Sequence, residues 1–141
     1  MAEKLLERID SSSGSRRLLE LSEYYFLKTR LAILRGDPRT ASLHAEVSLN
    51  SLIEVGSSSF LGLRYLSKAH VAHELGRHRL AQEYCAHALS IARKTQNTLL
   101  AFSVFLTEAF FALDQGKESS GLQSLHNALA IGNSQGYLNT F

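Results

Sequence analysis

The chain has 141 residues, 45% hydrophobic and 20% charged, with a net charge of +2 when histidine is neutral. That length suits one core or an array of small units, and the charge is too weak to argue for nucleic acid or an anionic membrane. The single cysteine, Cys85, excludes an internal disulfide framework and a zinc site built on cysteines of one chain, and points to a reducing cytoplasm.

The opening "MAEKLLERID" lacks the apolar stretch of a signal peptide and reads as amphipathic helix. No apolar run reaches the ~20 residues of a membrane span, so no membrane partner is expected. In "EKLLERI" we read the second helix of an incomplete unit, closed by a loop at "SSSGS". Periodicity then predicts helices over 16–35, 38–54, 59–75, 78–95, 98–115 and 118–134. Pro38 suits an early position of the second helix, where its missing N–H costs nothing. Gly56 and Gly136 should end the second and sixth helices. Ser57 to Ser59 can cap the third, and Asn97 or Thr98 the fifth. "GYLNTF" reads as the start of a further unit, so the sequence is expected to be a piece of a longer protein.

The elements repeat. With Gly36, Gly76 and Gly116 in register, 40 residues apart, other columns agree. Tyr25, Tyr65 and Phe105 are aromatic. Thr29, Ala69 and Ala109 are small, and Ala32, Ala72 and Ala112 are identical. In the second helices, Ala41, Ala81 and Gly121 are small, as are Ser48, Ala88 and Ala128, and Leu49, Leu89 and Leu129 are identical. Each unit is therefore two amphipathic helices around a glycine bend, with small residues where the pair must approach closely. The units are 16–56, 57–96 and 97–136, with partial units at 1–15 and 137–141.

These columns resemble the tetratricopeptide repeat. Tyr65, Ala69, Ala72, Gly76, Ala81 and Ala88 match its pattern in the middle unit; Gly121 stands where the third should have alanine, and the prolines that close the family's second helices are missing. The resemblance implies an all-α, tetratricopeptide-like superhelical stack of antiparallel helix pairs. The period of 40 exceeds the family's usual length of about 34. Together with "LAILRGD", "HELGRHRLAQEYCAHALSIAR", "ALDQGK" and "GYLNTF", it is similar to the repeat region of MalT-like, LuxR-type ATP-dependent transcriptional regulators. That likeness implies a sensor or interaction region of a bacterial regulator. No residue matches an NTPase or DNA-reading motif. A free-standing protein–protein adaptor is the alternative.

No G-x-x-x-x-G-K-[ST], G-x-G-x-x-G or G-x-S-x-G occurs, so neither a phosphate-cradling loop nor a nucleophile elbow is supported, and neither catalysis nor a cofactor is expected. His70 and His73 are three apart on one helical face, but the zinc-protease spacing is absent and Glu74 points away, so we expect two histidines lining a wet groove, not a metal site. Cys85 is expected to be a small buried residue. Arg35, Arg39, Arg77, His78, Arg79 and Lys117 flank the bends along one edge that could meet nucleic acid or an acidic partner domain, but no aromatics interleave with them, so no direct nucleic-acid partner is expected.

In tetratricopeptide arrays the first helices line the concave face. The resemblance, carried over by register, places Glu23, Phe26 and Arg30 there from the first unit, together with Ile33 and Leu34. The second unit contributes Leu66, His70, His73 and Glu74 with Leu63, and the third Leu106, Phe110 and Asp114 with Ser103 and Leu113. Such a groove could hold a protein or peptide segment through Phe26, Leu66 and Phe110, or a small effector oriented by Arg30 or His70. Exposed repeat ends would favour self-association.

Overall fold

The structure, a computed structural model, describes residues 2–56 and 60–136, with side chains from Gly14 onward. Six helices follow one another: α1 (Ala2–Leu34), α2 (Pro38–Val55), α3 (Leu61–Glu74), α4 (His78–Lys94), α5 (Thr98–Asp114) and α6 (Glu118–Gln135). The chain is all-α and neighbouring helices pack in pairs, α1 with α2, α3 with α4, and α5 with α6. The expected serine cap at 57–59 and the partial unit at 137–141 lie outside the described residues.

One expected boundary is not observed. Instead of a separate helix before "SSSGS", α1 runs unbroken from Ala2 to Leu34. Stopping a helix takes a proline or a residue with positive φ, and this segment supplies neither: Gly14 is helical, and each serine costs only a few tenths of a kcal/mol.

The bends form as the glycines require. Gly36, Gly76 and Gly116 have φ of 74°, 77° and 75°. In each bend the next residue, Asp37, Arg77 or Lys117, donates its N–H to the carbonyl of Ala32, Ala72 or Ala112, satisfying carbonyls that the helix end leaves free. Asp37 caps α2 by accepting from the Thr40 N–H (3.1 Å), and Asn97 caps α5 by accepting from Leu100 (3.0 Å). Gly56 and Gly136 close α2 and α6 with φ near the same value. At the same place after α4, Gln96 takes φ 53°, the one described non-glycine with positive φ.

The seam within each pair is built from small residues. Ala41, Ala81, Ala88 and Ala128 are buried there. In the first pair, Ser22 donates to the Ser48 carbonyl and Ser48 to the Ser22 carbonyl, each at 2.7 Å. Gly121 has a packing reason: a Cβ on it would stand 2.6 Å from Leu113 Cγ, so the leucine fills the space that alanine would take.

Between pairs, first helices touch first helices: α1 contacts α3, and α3 contacts α5. The second helices α2, α4 and α6 make no contact with one another among the described residues. The face formed by α1, α3 and α5 is therefore the inner one. Leu66, Cys85, Leu100, Val104 and Phe111 form the core joining the second and third pairs, while Val71 packs on Ala32, Ala41 and Ala45 to join the first and second. Register explains an exposed stripe on α1. Arg64, Ser67 and Val71, and likewise Val104, Thr107 and Phe111, are buried against the preceding pair, whereas their counterparts Tyr24, Leu27 and Leu31 are exposed.

Arg64 fastens the first two pairs. Its side chain is 3% exposed; Nη2 reaches Glu23 at 2.7 Å, Nε donates to Ser22 Oγ at 3.0 Å, and the guanidinium lies over the Phe26 ring at 4.3 Å. Glu23 is 55% exposed, so removing it leaves a buried cation with partial access to water. Glu23→Ala should cost about 1–2 kcal/mol in urea unfolding. Glu20→Ala, which breaks the solvent-exposed Arg16–Glu20 pair, should change stability by less than about 0.5 kcal/mol. Gln96→Gly should stabilise by about 0.5–1 kcal/mol, because it relieves a left-handed non-glycine residue while adding some unfolded-state freedom; a loss of stability would mean that Gln96 is not left-handed.

Candidate functional site

A cavity of about 360 Å3 opens on the inner face where α1, α3 and α5 meet. The first helix gives it Phe26, Arg30, Ile33 and Leu34. α3 contributes Leu63, Leu66, Ser67 and His70, and α5 closes the far side with Ser103 and Thr107. These positions converge because first helices pack against first helices, which brings about two turns of α1 and α3 and one of α5 to a shared opening.

Phe26, Arg30, Leu66 and His70 are thus brought together among the ten residues expected on this face. The others stand elsewhere. Glu23 is turned to Arg64. Leu106, Phe110 and Glu74 are exposed but do not line the cavity, although the Phe110 ring lies 6.3 Å from His70 and 5.9 Å from His73. His73 and Asp114 form a tie between α3 and α5: His73 Nε2 donates to Asp114 Oδ2 at 2.6 Å, and the imidazole stacks on Phe111 at 4.2 Å. His73 is 4% exposed, which corrects the expectation of two histidines in a wet groove: only His70 reaches the cavity. Its counterpart in α1 is Ile33, so His73 occupies a position that is apolar in the neighbouring unit, and α5 covers it. His73 Nδ1 has no hydrogen-bond partner.

Electrostatically the cavity wall is one-sided. Arg30 is exposed and forms no ion pair among the described residues; it approaches the Phe26 ring at 5.9 Å. Arg64 and Lys68 are both neutralised, by Glu23 and by Glu46 at 2.6 Å. No carboxylate lines the cavity. Burial holds the His70 imidazole below its ordinary 6.5, and the nearby His73 ring and Arg30 guanidinium push the same way. Phe110 and Phe111 meet it from α5 and carry no charge. His70 is therefore neutral near pH 7, able to donate one hydrogen bond.

The hydroxyls differ from one another. Thr107 donates to the Ser103 carbonyl and Ser103 to the Leu99 carbonyl, the usual outlet for a helical serine or threonine. Thr29, Ser51 and Thr95 do the same. Ser67 does not: it is 8% exposed and its Oγ has no partner. Ser67, Thr107 and Arg64 were not legible as site-forming residues; the one signal was an arginine in a column where α1 and α5 carry Tyr24 and Val104.

Two other surfaces carry titratable side chains. A second space of about 330 Å3 between α4, α5 and α6 is bordered by Cys85, Glu108 and Lys117. Burial, with the Glu108 charge adding to it, pushes the Cys85 thiol up to about 12, so it stays protonated and unreactive. Burial also raises Glu108. The basic edge, Arg35, Arg39, Arg77, His78, Arg79 and Lys117, is exposed at the bends. Among the described residues no three His, Cys, Asp or Glu side chains converge on a metal-sized site, and no helix is long and apolar enough to cross a membrane. Comparison with family models, curated proteins and solved structures gives no match.

The His70 environment can be read directly. Its ring should titrate by NMR below 6.5, and Arg30→Ala should move the midpoint upward by removing a repelling cation. Because the folded value is depressed, the stability that His70 contributes is complete above pH 6.5 and is lost as pH falls from there through the folded value. A midpoint unaffected by Arg30→Ala would mean that the two side chains do not share the cavity.

Proposed function

We propose that the chain is a non-catalytic recognition region whose inner face takes a ligand or a partner segment, and that it serves as the sensor or interaction part of a cytoplasmic bacterial transcriptional regulator of the MalT-like kind. The observation carrying the recognition reading is the cavity itself: three repeat units contribute to one opening whose wall combines apolar side chains with an unpaired arginine, a neutral imidazole and an unused hydroxyl. Binding sites are built this way, mostly apolar with a few placed polar groups. A reaction centre is less well supported, since no carboxylate orients His70 as a base and two of the three hydroxyls are engaged by backbone carbonyls. The regulator assignment rests on the sequence resemblance alone. The adaptor alternative shares the same cavity and differs only in what is attached.

Binding of a panel of short peptides and small metabolites, followed by NMR on the wild type and on Arg30→Ala, His70→Ala and Phe110→Ala, tests the inner-face reading. Loss of an Arg30 contact should weaken an anionic binder about tenfold or more. A ligand that binds all four proteins equally would place recognition elsewhere. The regulator reading has its own test: reading the gene on both sides for a P-loop upstream or a helix-turn-helix downstream, with neither present favouring the adaptor.

A further inference from the structure

We infer that the inner-face cavity is a site for a small organic acid, a carboxylate on a compact apolar body, with Arg30 and Ser67 receiving the carboxylate and Leu63 and Leu66 the apolar part. This deepens the recognition reading above and depends on it.

Charge comes first. Four described cations have acidic partners: Arg16, Arg64, Lys68 and Arg79 pair with Glu20, Glu23, Glu46 and Glu83. Arg30 lines the cavity without one, and no acid shares the wall. An anion is therefore drawn to this spot, and a cation repelled from it. One guanidinium matches one carboxylate through two parallel N–H···O bonds; a phosphate dianion would need a second cation.

The unpartnered hydroxyl is the second, independent observation. Ser67 Oγ is buried, lines the cavity, and gives up the carbonyl bond that Thr29, Ser51, Thr95, Ser103 and Thr107 all make four residues back. A buried hydroxyl left without a partner is costly unless something fills that role. A carboxylate oxygen held by Arg30 supplies an acceptor for the Ser67 O–H, and His70 can donate its single N–H to the same group.

Size sets the remainder. The volume of about 360 Å3 holds about a dozen non-hydrogen atoms at the ~30 Å3 share of a water molecule. That is enough for a free acid with an aromatic ring or short aliphatic chain.

The experiment uses the 141-residue chain and isothermal titration at pH 7 with phenylacetate and octanoate as probes, against phenylacetamide, phenethylamine, phenyl phosphate and an acetylated tripeptide ending in phenylalanine. At least one of the two acids should bind, and the amide and amine should bind at least about tenfold more weakly. Arg30→Ala should weaken the acid by about tenfold or more, Arg30→Lys by less, and Ser67→Ala by a few-fold. Because Arg30 is exposed and unpaired, its replacement leaves the fold intact; Arg79→Ala, on the far edge, should change nothing. Equal binding of acid and amide, or acid binding indifferent to Arg30→Ala, would overturn the assignment. Tighter binding of phenyl phosphate would overturn the carboxylate. Binding of the tripeptide with neither acid bound would overturn the ligand class while leaving the recognition reading intact. No binding by any probe would overturn the site as a whole.

Discussion

Each second helix approaches its first most closely where the facing residues are alanine, serine or glycine, and this close approach governs the geometry of the inner face. Ala41, Ala81, Ala88 and Ala128 are buried at these seams, and Ser22 and Ser48 exchange hydrogen bonds through their hydroxyls at the corresponding level of the first pair. Packing this tight leaves little freedom for the two helices of a pair to slide, so each pair behaves as one stiff unit. Each later first helix then packs on both helices of the preceding pair, α3 on α1 and α2 and α5 on α3 and α4, while the second helices stay apart from one another among the described residues. The cavity is what remains on the inner face between these stiff units.

Arg64 determines which polar groups the cavity keeps. It is buried between the first two pairs, takes up the Glu23 charge, and holds the Phe26 ring beneath its guanidinium. Phe26 is consequently a fixed wall of the cavity. With Glu23 turned away, Arg30 has no acid to compete for it. The His73–Asp114 bond does the same work one unit further on: it ties α5 to α3 and removes a second carboxylate from the inner face. Two acids expected to face a ligand instead hold the array together, and the charge balance of the cavity is the result.

Much of this was legible in the sequence. Helix ends, bends and the column of small residues follow from local chemistry, glycine at positive φ and alanine at close contacts, so one chain sufficed to place them. The tetratricopeptide resemblance, carried over by register, assigned Phe26, Arg30, Leu66 and His70 to one face, and these four line the cavity. What escaped depends on neighbours rather than on the residue itself. "SSSGS" contains helix-weakening residues but no stop, and α1 passes through it. His73 looks like a surface histidine until α5 covers it. Arg64 looks like a solvated side chain until Ser22 and Glu23 come into reach across 42 and 41 residues. Gln96 breaks the glycine column at the end of a second helix and takes the left-handed conformation regardless, which composition alone does not signal.

The same geometry limits how an occupant could influence anything attached to the chain. A ligand shifts a conformational balance only through contacts that differ between the two states. Contacts to Leu63, Leu66, Ser67 and His70 all belong to α3 and move together. Only contacts that span helices, Arg30 on α1 against Ser67 on α3 and Ser103 on α5, register a change in the angle between pairs. Reversing a 1:99 equilibrium takes about 5.5 kcal/mol of such difference, while a ligand of about a dozen atoms has at best roughly 1.5 kcal/mol per atom for binding altogether, and more commonly nearer 0.3. A single ligand here would therefore bias the curvature of the array by a modest amount, and the Arg30 contact would carry most of that bias, since it alone joins a charged group on the first unit to polar groups on the second.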